Sequence, residues 1–185
     1  MEDNTLNYAT IKNCDISNGP GVRVSLFVSG CTHKCKGCFN EVAWDFNYGE
    51  PFTEEVEDRL IEMLAPDYIK GLTLLGGEPF EPSNQGPLVH FLRKVKSKYP
   101  EKSIWAFSGY LFDRDLVAGN VGDSKVTEEF LSYLDVLVDG PFIQSRKNLM
   151  LRFRGSDNQR LIDVKKSLEQ GEIVLWEDWQ GTERR

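Results

Sequence analysis

The chain has 185 residues, and its 22 Lys and Arg against 29 Asp and Glu leave a formal net charge of −7 at pH 7. This charge argues against a nucleic-acid-binding protein that works through a basic face, and against docking on an anionic membrane. With 40% apolar and 28% charged residues, the composition is typical of one globular domain. The acidic N-terminal residues include no apolar signal segment, and no apolar run is long enough to cross a membrane, so we expect a cytoplasmic protein.

Strand and helix patterns alternate along the chain. Runs rich in β-branched and apolar residues predict strands over residues 22–29, 70–75, 103–107, 135–138 and 149–153. Amphipathic patterns predict helices over residues 54–65, 86–98 and 126–134. The apolar residues 173–176 could form a late strand, but the pattern does not place this strand in a sheet.

This alternation predicts an α/β fold built on a parallel sheet. Loops that carry cysteine, glycine or polar residues follow the C-terminal ends of the predicted strands, and barrels of βα units carry their chemistry at that face. A complete barrel of eight units needs about 250 residues, so this chain has room for five or six units. We expect an incomplete (β/α) barrel, open on one side, as a core domain over residues 1–162. The remaining residues, 163–185, include Trp176 and Trp179 and form an extension to which the sequence assigns no role.

Three of the four cysteines, Cys31, Cys35 and Cys38, lie within eight residues. A disulfide framework would scatter cysteines along a secreted chain, so this grouping indicates a metal or iron–sulfur site. A cubic 4Fe–4S cluster normally takes four cysteine thiolates, so three would leave one iron open to another ligand. The alternative is a zinc site with His33 as fourth ligand, bound from a tight loop between two cysteines. We expect His33 to be a solvated loop residue instead, and Cys14 to be a buried or free thiol.

The cysteine motif and the sequence Gly-Gly-Glu-Pro at residues 76–79 each follow a predicted strand. Together they resemble the radical S-adenosylmethionine (SAM) superfamily. Over about residues 7–162 the chain more narrowly resembles the activating proteins of the anaerobic (class III) ribonucleotide reductases. The segments that carry this resemblance are residues 18–21, 27–31, 39–40, 138–140 and 154–159. The chain departs from the family at Glu78, where Asp is more frequent, at Ser108, where Thr is usual, and at Gly37, which is aromatic in much of the superfamily.

The resemblance implies an incomplete barrel of the radical SAM type and a reductive cleavage of SAM. Cys31, Cys35 and Cys38 would hold the cluster, and SAM would bind the open iron through its amino and carboxylate groups. Cleavage would give methionine and a 5′-deoxyadenosyl radical. In this family the radical takes a hydrogen atom from a glycine Cα of the reductase large subunit, and a reductant such as flavodoxin would supply the electron.

The resemblance also implies which residues contact SAM. The glycine pair would let the backbone approach the methionine end closely, which a Cβ would obstruct. The glutamate that follows would accept a hydrogen bond from the methionine ammonium or would stabilise the turn, and the end of the cysteine motif would border the adenine. The implied contact residues are Gly37, Cys38, Phe39, Gly76, Gly77 and Glu78, with Ser108 and Asp139 at the same face.

Two other functions remain open at this point. One is a short radical SAM enzyme that acts on a small heterocycle, similar to the deazaguanine-forming synthases, which share both motifs. The other is a noncatalytic iron–sulfur or zinc protein, which would leave the Gly-Gly-Glu-Pro sequence without a reason. Residues 154–159 favour the activating proteins, and they would line the opening, hold the partner's backbone, or form an ordinary surface turn.

Overall fold

The structure is a computed structural model that describes residues 6–177. Its strands are β1 (Asn7–Asp15), β2 (Val22–Val28), β3 (Glu50–Pro51), β4 (Ile69–Gly76), β5 (Ser103–Phe107), β6 (Val136–Asp139) and β7 (Arg160–Asp163). Its α-helices are α1 (Glu54–Met63), α2 (Pro82–Lys98), α3 (Ser124–Tyr133) and α4 (Val164–Gln170). Short helical turns of other types cover Glu41–Trp44, Phe112–Leu116 and Gln144–Arg146.

The strands form one mixed sheet in the order β3-β1-β2-β4-β5-β6-β7. Strands β2, β4, β5 and β6 are parallel, whereas β1 and β7 pair antiparallel with the strands beside them. Helices α1, α2 and α3 connect the parallel strands, so the predicted α/β class is confirmed. The sheet has four parallel strands in the described residues, fewer than the five or six units that the chain length suggested.

Two of the predicted strands differ from the structure. Residues 149–153 form turns and bends instead of a strand, because Leu149 and Met150 are exposed and Phe153 takes a left-handed backbone conformation with φ of +57°. Residues 173–176 contribute only an isolated bridge between Leu175 and Ile162. Strand β7 comes after the 149–153 segment in the chain. The predicted boundary between the core domain (1–162) and the extension (163–185) falls inside this strand.

The two faces of the sheet pack against different parts of the chain. Alternate residues such as Leu26, Leu74 and Ile104 face the main core, which the helices cover with side chains such as Leu88 and Phe91. The opposite face carries a smaller cluster, with Trp105, Val136 and Val138 under Phe153 and Trp176.

The segment after β1 also crosses this second face, where Oγ1 of Thr73 donates a hydrogen bond to the carbonyl of Asn18 (2.8 Å). Trp176 packs edge-on against Trp105, with 4.9 Å between ring centroids. The described part of the predicted extension therefore packs on the sheet, whereas Trp179 lies outside the described residues. No helix within residues 6–177 has the length and apolar character that crossing a membrane would take.

Candidate active site

A cavity of about 440 Å³ opens at the carboxyl ends of the four parallel strands. A volume of this size is within the range of small-molecule and cofactor sites. The cavity brings together all the residues of the cysteine motif and the Gly-Gly-Glu turn that the sequence analysis assigned to metal or cofactor binding, whereas Asp139 is not among its lining residues. These lining residues are Cys31, Cys35, Gly37, Cys38, Phe39, Gly76, Gly77 and Glu78.

The cysteine loop leaves the end of β2 and is held by backbone hydrogen bonds to the helical turn Glu41–Trp44. The Gly30 amide donates to the carbonyl of Ala43 (2.8 Å), and the Cys31 amide donates to the carbonyl of Trp44 (3.2 Å). The three loop thiols are free and partly buried. Burial, reinforced by the nearby Glu78 carboxylate, raises the pKa of Cys31 to about 11. Ligation of a metal by this thiol would release its proton.

Thr32 and His33, between the first two cysteines, contact the turn that follows β4. Nε2 of His33 lies 3.0 Å from Oε2 of Glu78, and the imidazole packs edge-on against Tyr110. The His33 side chain is only 18% exposed, so the prediction of a solvated loop residue is wrong. Burial lowers the pKa of His33, but the hydrogen bond to Glu78 and the charges of Glu78 and Glu81 outweigh it and raise the pKa above its ordinary value. The thiol of Cys14 is free, as expected, but it is exposed.

The donor set, three free thiols of one loop that line an open cavity, fits a 4Fe–4S cluster, which takes thiolate ligands. Within residues 6–177, no three or more Cys, His, Asp or Glu side chains are arranged to hold one ion. In a tetrahedral zinc site with Zn–S bonds of about 2.3 Å, neighbouring sulfurs lie about 3.8 Å apart. In a 4Fe–4S cluster each cysteine binds a different iron, so the sulfurs lie farther apart. His33, the fourth ligand of the zinc alternative, is bound to Glu78 instead.

The Glu78 carboxylate is almost fully buried, at 1% exposure, and each of its oxygens has protein hydrogen-bond partners. Oε1 accepts hydrogen bonds from the Phe80 amide and from Oγ of Ser108, both at 2.9 Å. Oε2 accepts from the Gly109 amide (2.7 Å) and from His33. These contacts support the interpretation in which Glu78 stabilises the turn, while its contact with a methionine ammonium stays a prediction.

The glycine pair is required by the protein's own packing. Gly76 has φ of +113°, a conformation that side chains other than glycine rarely adopt. A Cβ at Gly77 would lie 2.5 Å from the carbonyl oxygen of Gly30 and 2.9 Å from that of Ala43. The Gly77 turn therefore lies directly against the start of the cysteine loop, and both motifs meet through backbone atoms.

Two buried polar residues that the sequence analysis did not single out join these motifs. Asn84, on the first turn of α2, donates hydrogen bonds from Nδ2 to the carbonyls of Ser29 and Glu78, both at 3.0 Å. Oε1 of Glu81 accepts hydrogen bonds from the amide and the hydroxyl of Thr32. Both residues lie between the Gly-Gly-Glu-Pro sequence and the predicted helix over residues 86–98, where nothing in the spacing distinguishes them from helix-capping or surface residues.

The segment 154–159 folds back on the loop that follows β6. The Gln159 side chain accepts hydrogen bonds from the amides of Gly155 (2.9 Å) and Ser156 (3.1 Å) and donates to the carbonyl of Gly140 (3.0 Å). Arg154 donates to the carbonyl of Gln159 (2.6 Å). Arg154, Gly155 and Gln159 also line the cavity. The segment thus shapes one wall of the site, and its contact with a partner stays a prediction.

Asp139, at the end of β6, is fully buried and engaged with protein groups. Its carboxylate accepts from Arg160 at 2.9 and 2.5 Å, and from the Phe112 amide at 2.8 Å. This ion pair joins β6 to β7 below the cavity. A contact between Asp139 and a cofactor stays a prediction.

Large apolar side chains lie exposed beside the cavity. Phe39 on the cysteine loop is 84% exposed, and Leu149 and Met150 on the loop after β6 are 86% and 88% exposed. Phe39 and Leu149 also line the cavity. Grouped exposed apolar side chains of this size are typical of interaction sites.

Comparisons with known proteins agree with this geometry. Residues 17–162 match the family model of a 4Fe-4S single cluster domain. A relative from Enterobacteria phage T4 is 44% identical over 158 residues, which cover 84% of this chain and 93% of the relative. Relatives from Vibrio cholerae and Escherichia coli K12 are 42% and 40% identical over 156 residues, covering 83% of this chain and 96% of each. All three carry the name anaerobic ribonucleoside-triphosphate reductase-activating protein. At this identity and coverage, the chain belongs to the family of anaerobic ribonucleoside-triphosphate reductase-activating proteins.

Proposed function

We propose that this chain is a radical SAM activase, an enzyme that cleaves SAM reductively at a 4Fe–4S cluster and generates a glycyl radical on the anaerobic ribonucleotide reductase. The observation that carries the proposal is the shared cavity, where the three clustered cysteines meet the Gly-Gly-Glu turn at the carboxyl ends of the parallel strands. Membership of the activating-protein family supports the reductase as the target.

The residues of the cavity divide into two sets. Cys31, Cys35 and Cys38 would hold the cluster, which supplies one electron to SAM when bound and leaves one iron free for it. Backbone groups at Gly76 and Gly77 would hold the methionine end, and the end of the cysteine motif would border the adenine. The cavity walls formed by the segments around residues 18 and 154–159 would keep water away from the reacting groups.

We also propose that the sheet is a partial (β/α) barrel of the radical SAM type. The four parallel strands carry helices on one face and the smaller cluster around Trp105 on the other. The antiparallel strands β1 and β7 flank the parallel set where a closed barrel would continue it. Residues 1–162 would form this core domain and residues 163–185 the extension, of which Leu175 forms a bridge with Ile162 of β7.

Exposed apolar residues favour a protein substrate over a small heterocycle. A metabolite that enters a cavity needs no apolar surface outside it, whereas a partner loop must dock beside the opening. Phe39, Leu149 and Met150 provide such a surface next to the cluster cysteines. We assign the partner as the large subunit of the reductase and the electron donor as a reductant such as flavodoxin, and we place the reaction in the cytoplasm.

The test combines an activity assay with a variant of the apolar surface. Reduced protein, SAM and the cognate reductase are mixed without oxygen, and the glycyl radical is measured as a doublet by EPR. The variant Met150→Ser, at an exposed residue beside the cavity, should cleave SAM with dithionite at the normal rate but give about fivefold less glycyl radical at low reductase concentration. Leu168→Ser, at an exposed apolar residue of α4, is the matched control and should behave as the unchanged protein. SAM cleavage without a doublet, together with turnover of a small heterocycle, would establish the alternative function.

A further inference from the structure

Thr32 and His33, which follow Cys31 in the cysteine motif, contact acidic side chains on the turn after β4. The amide and Oγ1 of Thr32 both donate hydrogen bonds to Oε1 of Glu81, each at 2.6 Å. Nε2 of His33 lies 3.0 Å from Oε2 of Glu78 and donates to it in the tautomer that carries a proton on Nε2. The cysteine loop is therefore tied to the turn at two adjacent residues through two different carboxylates.

The carboxylates of Glu78 and Glu81 are both buried, and that of Glu78 is also held by groups outside the cysteine loop, namely two backbone amides and Ser108. A buried carboxylate is costly unless hydrogen bonds satisfy it, so Thr32 and His33 also complete the solvation of these groups. The acidic pair therefore positions the loop, and the loop in turn stabilises the acidic pair.

The His33 ring is also enclosed by neighbouring groups. It packs edge-on against Tyr110, with 4.4 Å between centroids. A Cβ at Gly109 would lie 2.5 Å from Cδ2 of His33, so the absence of a side chain at Gly109 makes room for the ring. One hydrogen bond and two packing contacts leave His33 little freedom to rotate.

We propose that Thr32 and His33 are positioning residues that fix the cluster-binding loop on the Gly-Gly-Glu turn, so that the cluster ligands and the SAM-binding backbone keep one relative geometry. What is bound there rests on the proposed function, but the coupling of the two segments rests on the contacts above. Partners that orient metal ligands commonly contribute about 10–100-fold to metal affinity. Loss of the His33 contact should therefore loosen the cluster and the SAM site together.

The experiment compares His33→Ala with His33→Gln in anaerobically reconstituted protein. Glutamine keeps an N–H donor that can reach Glu78, whereas alanine removes both the donor and the ring. His33→Ala should lose iron to a chelator about tenfold faster than the unchanged protein and bind SAM about tenfold more weakly. SAM binding is measured through the SAM-induced change in the EPR signal of the reduced cluster. His33→Gln should recover most of both losses, and His90→Ala, at the half-exposed histidine of α2, should show neither.

A second pair of variants keeps the inference testable if His33→Ala fails to fold. Thr32→Val preserves the shape of the side chain but removes the hydroxyl donor to Glu81, whereas Thr32→Ser keeps it. Thr32→Val should lose iron about threefold faster, since one of its two hydrogen bonds remains, and Thr32→Ser should not. The inference is overturned if His33→Ala or Thr32→Val holds iron and SAM as the unchanged protein does, or if His33→Gln is no better than His33→Ala. Failure of the proposed function would look different, because the unchanged protein would then form no glycyl radical while the differences in iron retention persisted.

Discussion

Replacing Gly77 by Ala tests whether this glycine serves the fold or only the approach of SAM. The added Cβ would lie 2.5 Å from the Gly30 carbonyl oxygen and 2.9 Å from the Ala43 carbonyl oxygen. Both atoms are backbone, so neither can rotate away. Overpacking of this kind costs about 1–3 kcal/mol. Displacing the Gly30 carbonyl also weakens the hydrogen bond that it accepts from the Glu78 amide at 2.8 Å, which adds about 1 kcal/mol.

We therefore expect Gly77→Ala to destabilise the fold by about 2–4 kcal/mol in the absence of any ligand. For a chain of this size that loss lowers Tm by roughly 4–16 °C. The measurement is thermal unfolding of the iron-free protein followed by circular dichroism. Because Gly30 precedes Cys31, the variant should also bind less iron on reconstitution. An unchanged Tm of the iron-free variant, with weaker SAM binding alone, would refute the packing argument and leave ligand approach as the reason for the glycine.

Three further predictions follow from other parts of the molecule. Trp176→Ala should destabilise the protein by about 1–2 kcal/mol, because the half-buried indole packs on Trp105 and Phe153. Urea unfolding measures this change, and an unaltered midpoint would mean that the extension does not support the sheet. Hydrogen bonds from Arg93 and the Tyr133 hydroxyl lower the pKa of Glu129 from 4.5 to about 2. The ionised Glu129 carboxylate therefore stabilises the fold above pH 4.5, and this contribution is lost as the pH falls toward 2. NMR titration of the Glu129 carboxyl carbon in Arg93→Met should show the pKa returning toward 4.5, and an unmoved pKa would contradict this assignment. Cys14→Ala should keep about four irons per chain, whereas Ala at any of Cys31, Cys35 or Cys38 should remove the cluster. Iron loss in Cys14→Ala would overturn the ligand assignment.

Local patterns predicted most of the central fold. Four of the predicted strands agree with β2, β4, β5 and β6 to within one residue at each end, and three predicted helices agree with α1, α2 and α3 to within four. These elements carry continuous apolar runs or clear amphipathic faces, since each is buried by the layer beside it. Strand β1 was missed because its buried residues are few and polar residues separate them, as in an edge strand.

The wrong strand over residues 149–153 shows where pattern alone fails. Four of its five residues are apolar, which is compatible with a buried strand. In the structure, Phe153 packs against Trp105 and Trp176, while Leu149 and Met150 project from the cavity mouth. Contacts between residues far apart in sequence decide this conformation, and no local pattern contains them.

The sequence predicted which residues form the candidate site but not the hydrogen bonds that join them. Spacing and resemblance identified the cysteines and the Gly-Gly-Glu turn, and the structure places them around one cavity. The role of His33 was misread because a lone histidine in a loop gives no sign of a buried carboxylate 45 residues away. Glu81 and Asn84 were missed for the same reason, since their partners, Thr32 and Ser29, lie 49 and 55 residues earlier in the chain.

The most direct test of the proposed function follows the hydrogen atom itself. The cognate reductase is labelled with deuterium at its glycine α-carbons and mixed anaerobically with the reduced protein and unlabelled SAM. Mass spectrometry then measures deuterium in the 5′-deoxyadenosine that is formed. The proposed function predicts that most 5′-deoxyadenosine formed during the first turnover carries one deuterium, and that a reductase with its radical-bearing glycine changed to alanine gives none. Unlabelled 5′-deoxyadenosine from the deuterated reductase, formed at the same rate with or without that partner, would contradict the claim that this cavity acts on a protein glycine.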